Sequence, residues 1–231
     1  MNEEPPVDPG EEAGRLADHA RRTLGDPRCW AAPPEHTSVA LAAIDAVWGI
    51  GVRASSVRNV LDRYRSARRQ AGGDPESDGP AELLALIDGA GGQEGFAELV
   101  GNRQRTSTRN GVLKAEAVRR VAEVLRDAGL SSPAQVRAAS EAQLAALRDA
   151  WTQAPGQGSG LSLDAFLMVC GRSGVKADRM VRRFVADALG STEPKVAPAR
   201  AAALVTQAAA LCGTDARRLD AAIWDYETGG R

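Results

Sequence analysis

Apolar residues recur along this chain at intervals of three and four, and almost no stretch alternates with a period of two, so the pattern predicts helices throughout. A first helix is expected over residues 14–24, followed by a turn through 25–34. Thr37 or Ser38 can cap the next helix, in which Val39, Leu41, Ile44, Val47 and Trp48 form the apolar face and which Gly49-Ile50-Gly51 stops. Ser55 or Ser56 then opens a helix with Val57, Val60, Leu61 and Tyr64 on one side and arginines on the other. Residues 72–80, GGDPESDGP, read as a linker. Further helices are expected over 80–87, 95–100, 113–128, 133–139 and 141–151. After one more apolar helical stretch come 178–189, 198–211 and a short one at 215–226. There is no internal repeat. The fold class is all-α.

With 231 residues and 43% hydrophobic composition the chain can bury a core, as one large domain or two small lobes. Aromatics make up only 4%, so Ala, Leu and Val must do most of the packing. The formal net charge of −1 averages over unlike segments. Residues 1–35 carry Glu3, Glu4, Asp8, Glu11, Glu12, Asp18, Asp26 and Glu35 against four arginines, and the Pro-rich acidic stretch 1–13 reads as a flexible tail. The remainder is net positive, with three clusters: Arg53, Arg58, Arg63, Arg65, Arg68 and Arg69; Arg103, Arg105, Arg109, Lys114, Arg119 and Arg120; Arg172, Lys176, Arg179, Arg182 and Arg183. One such cluster alone is a solvated helix face. Three together read as a surface that tracks phosphates.

Cys29, Cys170 and Cys212 are odd in number and without partner spacing, so neither a disulfide framework nor a zinc site is expected. Cys170 follows the apolar run Phe166 to Val169 and reads as a small buried hydrophobe. His19 and His36 lack companion ligands and read as surface or cap residues. No metal site is expected. No signal peptide or membrane-length apolar run is visible, and the expected compartment is the cytoplasm, with no membrane partner.

The most informative stretch is APGQGSGLSLDAFLMVCGRSGVKAD, residues 154–178: a Pro-Gly-x-Gly turn, an apolar helical segment, a loop, and a carboxylate opening a basic helix. Backbone N–H groups in such a turn can face a phosphate, and Asp178 is a favoured residue at a helix start. Two glycines before a helix also serve as an ordinary turn.

Pro155, Gly156, Gln157 and Gly158, followed without a gap by Asp178, Val181, Arg183 and Phe184, resemble the motifs of the helix-hairpin-helix DNA glycosylase superfamily, the endonuclease III-like group. In that family the pattern is Leu-Pro-Gly-x-Gly, often with a lysine two residues on, and then Val-Asp-x-His-Val-x-Arg-Val with a catalytic aspartate. Here the lysine position is Gly160 and the histidine position is Met180. The resemblance is specific over residues 147–189. It is weaker at Lys114-Ala115-Glu116, which is similar to the family's bundle helix, and at Ala221-Ala222-Ile223-Trp224, similar to its C-terminal helix.

The resemblance implies a two-lobed helical fold with a helix-hairpin-helix motif and a cleft between the lobes. One lobe would comprise 14–37 with 171–231, the other 38–170, ending in the hairpin 155–158. It implies an enzyme that extrudes a damaged or modified base from double-stranded DNA and hydrolyses its N-glycosidic bond, leaving an abasic site. Asp178 would carry the hydrolysis. Pro155, Gly156, Gln157, Gly158, Ser159, Gly160, Arg179 and Arg182 would hold the DNA backbone. The base pocket or the wedge filling the gap in the stack would come from the loop Trp48, Gly49, Ile50, Gly51 and Arg53, or from the polar turn with Asn102, Arg103, Gln104 and Arg105. Trp48 at the end of an apolar helix reads as core rather than as a stacking platform. Gly49 and Gly51 either leave room for a large base or make a tight turn.

Without a lysine at position 160 no strand cleavage is expected. The four-cysteine iron–sulfur loop of many relatives is missing, so no cofactor is expected. The protein would act as a monomer, bound to the nucleoid when on DNA, in base-excision repair or in defence against phage DNA carrying modified bases. Two alternatives are a non-catalytic helix-hairpin-helix DNA-binding protein and an all-α interaction scaffold.

Overall fold

The computed structural model describes residues 9–229; Glu3, Glu4 and Asp8 of the acidic tail lie outside the described residues. Among the described residues there are twelve α-helices: α1 Pro9–Leu24, α2 Val39–Trp48, α3 Ala54–Gln70, α4 Pro80–Gly89, α5 Gly92–Leu99, α6 Lys114–Asp127, α7 Pro133–Ala138, α8 Glu141–Thr152, α9 Leu161–Val169, α10 Arg179–Leu189, α11 Pro198–Leu211 and α12 Ala216–Glu227. Among the described residues there is no β-strand beyond one isolated antiparallel bridge, Arg105 to Leu113. No helix among them is long and apolar enough to cross a membrane. The chain divides into two compact units, a terminal one of Met1–Pro33 with Ser173–Arg231 and a central one of Pro34–Arg172.

The central unit is organised around α2. Ser38 is its cap: the hydroxyl accepts the Leu41 N–H at 3.2 Å and donates to the Asp78 carbonyl at 2.8 Å. Every residue of α2 except Asp45 is buried, so the helix is apolar all round rather than on one face. Its four alanines let α3, α4, α6 and α9 approach closely. The core then fills with Tyr64, Ile87, Phe96, Leu125, Trp151 and Phe166. Cys170 belongs to it, and burial pushes its thiol up to about 12.

Residues 72–80, expected as a linker, are instead fastened down. Asp78 is 2% exposed and accepts from the Tyr64 hydroxyl at 2.6 Å and from two guanidinium nitrogens of Arg68 at 2.6 and 2.8 Å. Its backbone carbonyl holds both Ser38 and the Ala40 N–H. Composition alone marks such a stretch as a loop, and only the long-range partners show that it is rigid.

Residues 34–37, expected in the terminal lobe, belong to the central unit. The His36 N–H donates to the Val169 carbonyl at 2.8 Å, and its Nε2 lies 2.7 Å from Asp45 Oδ2. His36 is thus half of a partly buried pair and not a free surface residue.

The terminal unit packs α1, α10, α11 and α12 around Leu16, Phe184, Val185, Leu204, Val205, Leu219 and Ile223. The first helix begins at Pro9, ahead of the expected residue 14, because Ala13 and Leu16 bury against this core and Glu12 pairs with Arg200. His19 sets its ring edge-on to Phe184 at 4.8 Å, and that burial, with Arg22 nearby, holds its pKa below the usual histidine range. The remaining opener of note is Asp178, which caps α10.

Candidate functional site

The segment 154–160 is a tight turn between α8 and α9. The Gln157 N–H donates to the Ala154 carbonyl and the Gly160 N–H to the Gln157 carbonyl, each at 3.0 Å. Gln157, expected to face DNA, points inward at 4% exposure. Its Oε1 accepts from Ser162 Oγ, whose hydroxyl oxygen in turn accepts the Trp151 indole N–H at 2.9 Å, and its Nε2 donates to the Pro155 carbonyl at 3.2 Å. Gln157 therefore fixes the turn from within. A buried amide has to find such partners, because leaving one unpaired costs about 1–3 kcal/mol.

The three glycines of the turn differ in what constrains them. Gly156 has φ +76°, and a Cβ there would lie 2.4 Å from Thr106 Cβ. Gly160 has φ +74°, is buried, and a Cβ there would meet Arg148 Nη1 at 2.7 Å. Its N–H is spent inside the turn, so it is no phosphate donor, and a lysine there would be strained. Gly158 is exposed, its φ is not positive, and a Cβ would meet only one atom, the Thr152 carbonyl oxygen at 3.9 Å. Among the described residues the N–H groups of Gly156, Gly158 and Ser159 donate to nothing.

The two loops considered for the base or wedge come together in the central unit. Gly51, Val52, Arg53, Ser55, Ser56, Asn59 and Gln104 line a depression of about 460 Å³. Asn102 Nδ2 donates to Ser56 Oγ at 3.3 Å, tying the two segments. Lys114, which sequence reasoning placed among phosphate-tracking cations, is 3% exposed. Its ammonium donates to the carbonyls of Trp48 at 2.8 Å and Ile50 at 2.7 Å, and its N–H donates to the Gln104 carbonyl at 2.8 Å. One residue thereby holds both loops. The only cue in the sequence is a lone lysine opening an otherwise apolar-faced helix.

Trp48 itself is wholly buried, set edge-on against Phe96 at 6.3 Å, and offers no face to a base. Gly51 borders the depression with φ +71° and open space around its Cβ position. Gly49 is a turn residue, because a Cβ would lie 2.9 Å from the Asp45 carbonyl oxygen.

In the terminal unit, Asp178 Oδ1 accepts the N–H of Met180 at 2.8 Å and of Val181 at 3.3 Å. Oδ2 has no partner among the described residues. The Asp178 N–H donates to the Lys176 carbonyl at 2.6 Å, and the Lys176 N–H to the buried Asp220 Oδ1 at 2.9 Å. Asp220, on α12, thus anchors the segment that carries Asp178. Nothing in its sequence context marks it.

Most of the clustered arginines are committed internally. Arg63 caps the carbonyls of Val100 and Gly101; Arg65, Arg119 and Arg120 pair with Glu76, Asp88 and Glu123. Arg103 is held by Glu94 and Glu98, and Arg172 by three carbonyls and Glu141. Arg182, expected on the DNA backbone, donates to the Val196 carbonyl at 2.7 Å and pairs with Glu193; Arg183 pairs with Glu227. A guanidinium fork meets a carbonyl and a carboxylate at once, which favours such pairing. Arg53, Arg58, Arg109 and Arg179 are exposed and have no hydrogen-bond or ion-pair partner for their side chains among the described residues. No cluster of three His, Cys, Asp or Glu suited to a metal occurs among the described residues.

The model of one family, described as a domain of unknown function (DUF8548), matches residues 14–228. The chain belongs to that family. Neither the curated proteins nor the solved structures give a match.

Proposed function

We propose that this protein is a monofunctional DNA glycosylase of helix-hairpin-helix type. The observation that carries the reading is the turn 154–160, in which Gly156 and Gly160 are glycines for reasons internal to the fold and Gly158 is not. A glycine at an open, exposed position beside unspent N–H groups suits close approach of a phosphate. The ungapped spacing to Asp178 adds the second half of the motif.

In the reaction, departure of the base builds positive charge on the sugar. Water forms the new bond at the anomeric carbon, the C–N bond electrons leave with the base, and the carboxylate steadies the charge and takes the water's proton. Asp178 Oδ2 is the oxygen available for this, since Oδ1 is engaged in the cap. Gly160 supplies no amine at the position where the bifunctional members carry their lysine, so no covalent sugar adduct is expected there. With Gly51 on its rim, the depression leaves room for a base larger than uracil, as in hypermodified phage DNA.

The test is a panel of duplexes carrying different modified bases, incubated with protein and then with hot alkali. Asp178→Asn, which keeps volume and capping ability, should abolish base release while DNA affinity stays near wild type. Full turnover by this variant would overturn the catalytic assignment. A non-catalytic DNA-binding protein is favoured by one fact, that the two capping bonds already account for an aspartate at position 178. Duplex binding without release of any base in the panel would establish that alternative.

A further inference from the structure

The polar segment between α5 and α6 is more ordered than its composition suggests. The Thr106 N–H donates to the Val112 carbonyl at 2.9 Å and the Lys114 N–H to the Gln104 carbonyl at 2.8 Å, so residues 104–114 fold back as a ribbon-like loop closed by the single bridge Arg105 to Leu113. Gln104 turns to the depression and Thr106 to Gly156, while Arg103 and Arg105 are exposed. At the tip, Ser107 Oγ donates to the Arg109 carbonyl and Asn110 takes φ +54°. Gly111 is packed so closely on Ser107 that a Cβ would lie 2.3 Å from its N. Arg109 is presented on a preformed turn.

Thr106 is the joint. Its side chain rests on Gly156, which makes the ribbon and the turn 154–160 one continuous face of the central unit. Neither segment 101–113 nor 154–160 contains an acidic residue, although the chain has 30. The face offers the unspent N–H groups of Gly156, Gly158 and Ser159, the guanidinium of Arg109, and that of Arg105, from which the described residues take one bond, to the Gly111 carbonyl at 2.7 Å. On the flanking helices, Glu94 and Glu98 of α5 pair with Arg103, and Asp164 of α9 pairs with Arg148.

We propose that the ribbon grips the sugar–phosphate backbone of duplex DNA beside the turn, with Arg105 and Arg109 each neutralising one phosphate, and that it does not act as a wedge in the base stack. This rests on the DNA reading above but concerns binding alone. It is tested on the full chain with a fluorescently labelled duplex that carries no modified base, by anisotropy over a salt series.

Each phosphate contact contributes about 0.9 to the slope of log K against log salt. Arg105→Ala and Arg109→Ala should each lower the slope by about that amount, and the double variant by about twice as much. Arg126→Ala, on α6 of the same unit and paired with Asp127, should leave it unchanged. All three positions are exposed, and unaltered thermal unfolding checks that each variant folds. Gly158→Val, whose Cβ would meet only the Thr152 carbonyl oxygen at 3.9 Å, should weaken binding through the turn.

Unchanged slopes for Arg105→Ala and Arg109→Ala, with Gly158→Val still weakening binding, would overturn the ribbon's role and leave the DNA reading standing. An Arg126→Ala effect equal to the others would reduce the result to net charge and overturn it as well. Absence of salt-dependent duplex binding by wild type would overturn both.

Discussion

Replacing Asp78 by alanine should destabilise the central unit more than any surface change. The carboxylate is buried, and it is the shared acceptor of the Tyr64 hydroxyl and of two Arg68 nitrogens, all within 2.8 Å. Tyr64 is fully buried, and burial beside Asp78 pushes its phenol far above the ordinary tyrosine value, so the hydroxyl stays a neutral donor at any working pH. Removing the carboxylate strands this donor and leaves a mostly buried guanidinium without its counter-charge. Breaking such a pair from one side costs about 3–5 kcal/mol. At a urea dependence of about 2 kcal/mol per molar, the midpoint should fall by roughly 2 M. Tyr64→Phe removes one hydrogen bond and should cost about 1–2 kcal/mol. Urea unfolding followed by helical circular dichroism measures all three variants, with Arg68→Ala closing a double-mutant cycle against Asp78→Ala. A loss below about 1 kcal/mol for Asp78→Ala, where a buried ion pair should cost several times more, would show that segment 72–80 is not held as described. An additive cycle would show that Arg68 and Asp78 are not coupled.

Lys114→Met keeps the apolar stem but takes the donor from the Trp48 and Ile50 carbonyls. Two bonds to a charged group, offset by release of the buried ammonium's desolvation, leave a net loss of about 2–4 kcal/mol. Urea unfolding reads this, and faster amide exchange confined to residues 49–53 and 102–106 identifies the cause; unchanged exchange there would refute it. Cys170, with a thiol raised to about 12 inside the core, should resist a thiol reagent at mildly alkaline pH while the exposed Cys29 reacts. Equal labelling rates, read by mass spectrometry, would contradict its burial.

Local signals in the sequence were good guides to local structure. Ser38 and Asp178 are residues that cap helices by side chain, and each accepts the N–H groups of the turn it opens. The α3 start misled, because Ser55 and Ser56 suggest a cap while the helix begins at Ala54 after Arg53, with no side-chain cap bond. Its first turn is one wall of the depression, and Ser56 is instead used to receive Asn102. Burial of α2 on all sides was half legible: its apolar count is plain, but only the surrounding helices show that the small alanine face is covered too. The roles of Asp78, Lys114, Gln157 and Asp220 were not legible. Each is a polar residue whose meaning comes from partners distant in sequence, at Tyr64 and Arg68, at Trp48 and Ile50, and at Lys176, or from burial of a turn residue that composition places at the surface.

Charge shows the same division between what is counted and what is available. A net charge of −1 with three arginine clusters gives a contradictory view of anion binding, since one number argues against it and the other for it. Sorting the cations by what they already hold removes the contradiction. Arginines in α3, α6 and α10 mostly close the fold, bridging helices through carboxylates and free carbonyls, and so contribute little field outside. Arg105 and Arg109 sit on a segment with no acid of its own, against a turn with unspent N–H groups. Long-range attraction is screened within about 8–10 Å in ordinary buffer, so a polyanion responds to the local face and not to the sum over the chain. A near-neutral protein can therefore hold a phosphate backbone where its donors are both unspent and prearranged, and the salt slope, which counts phosphates neutralised at contact, measures that face directly.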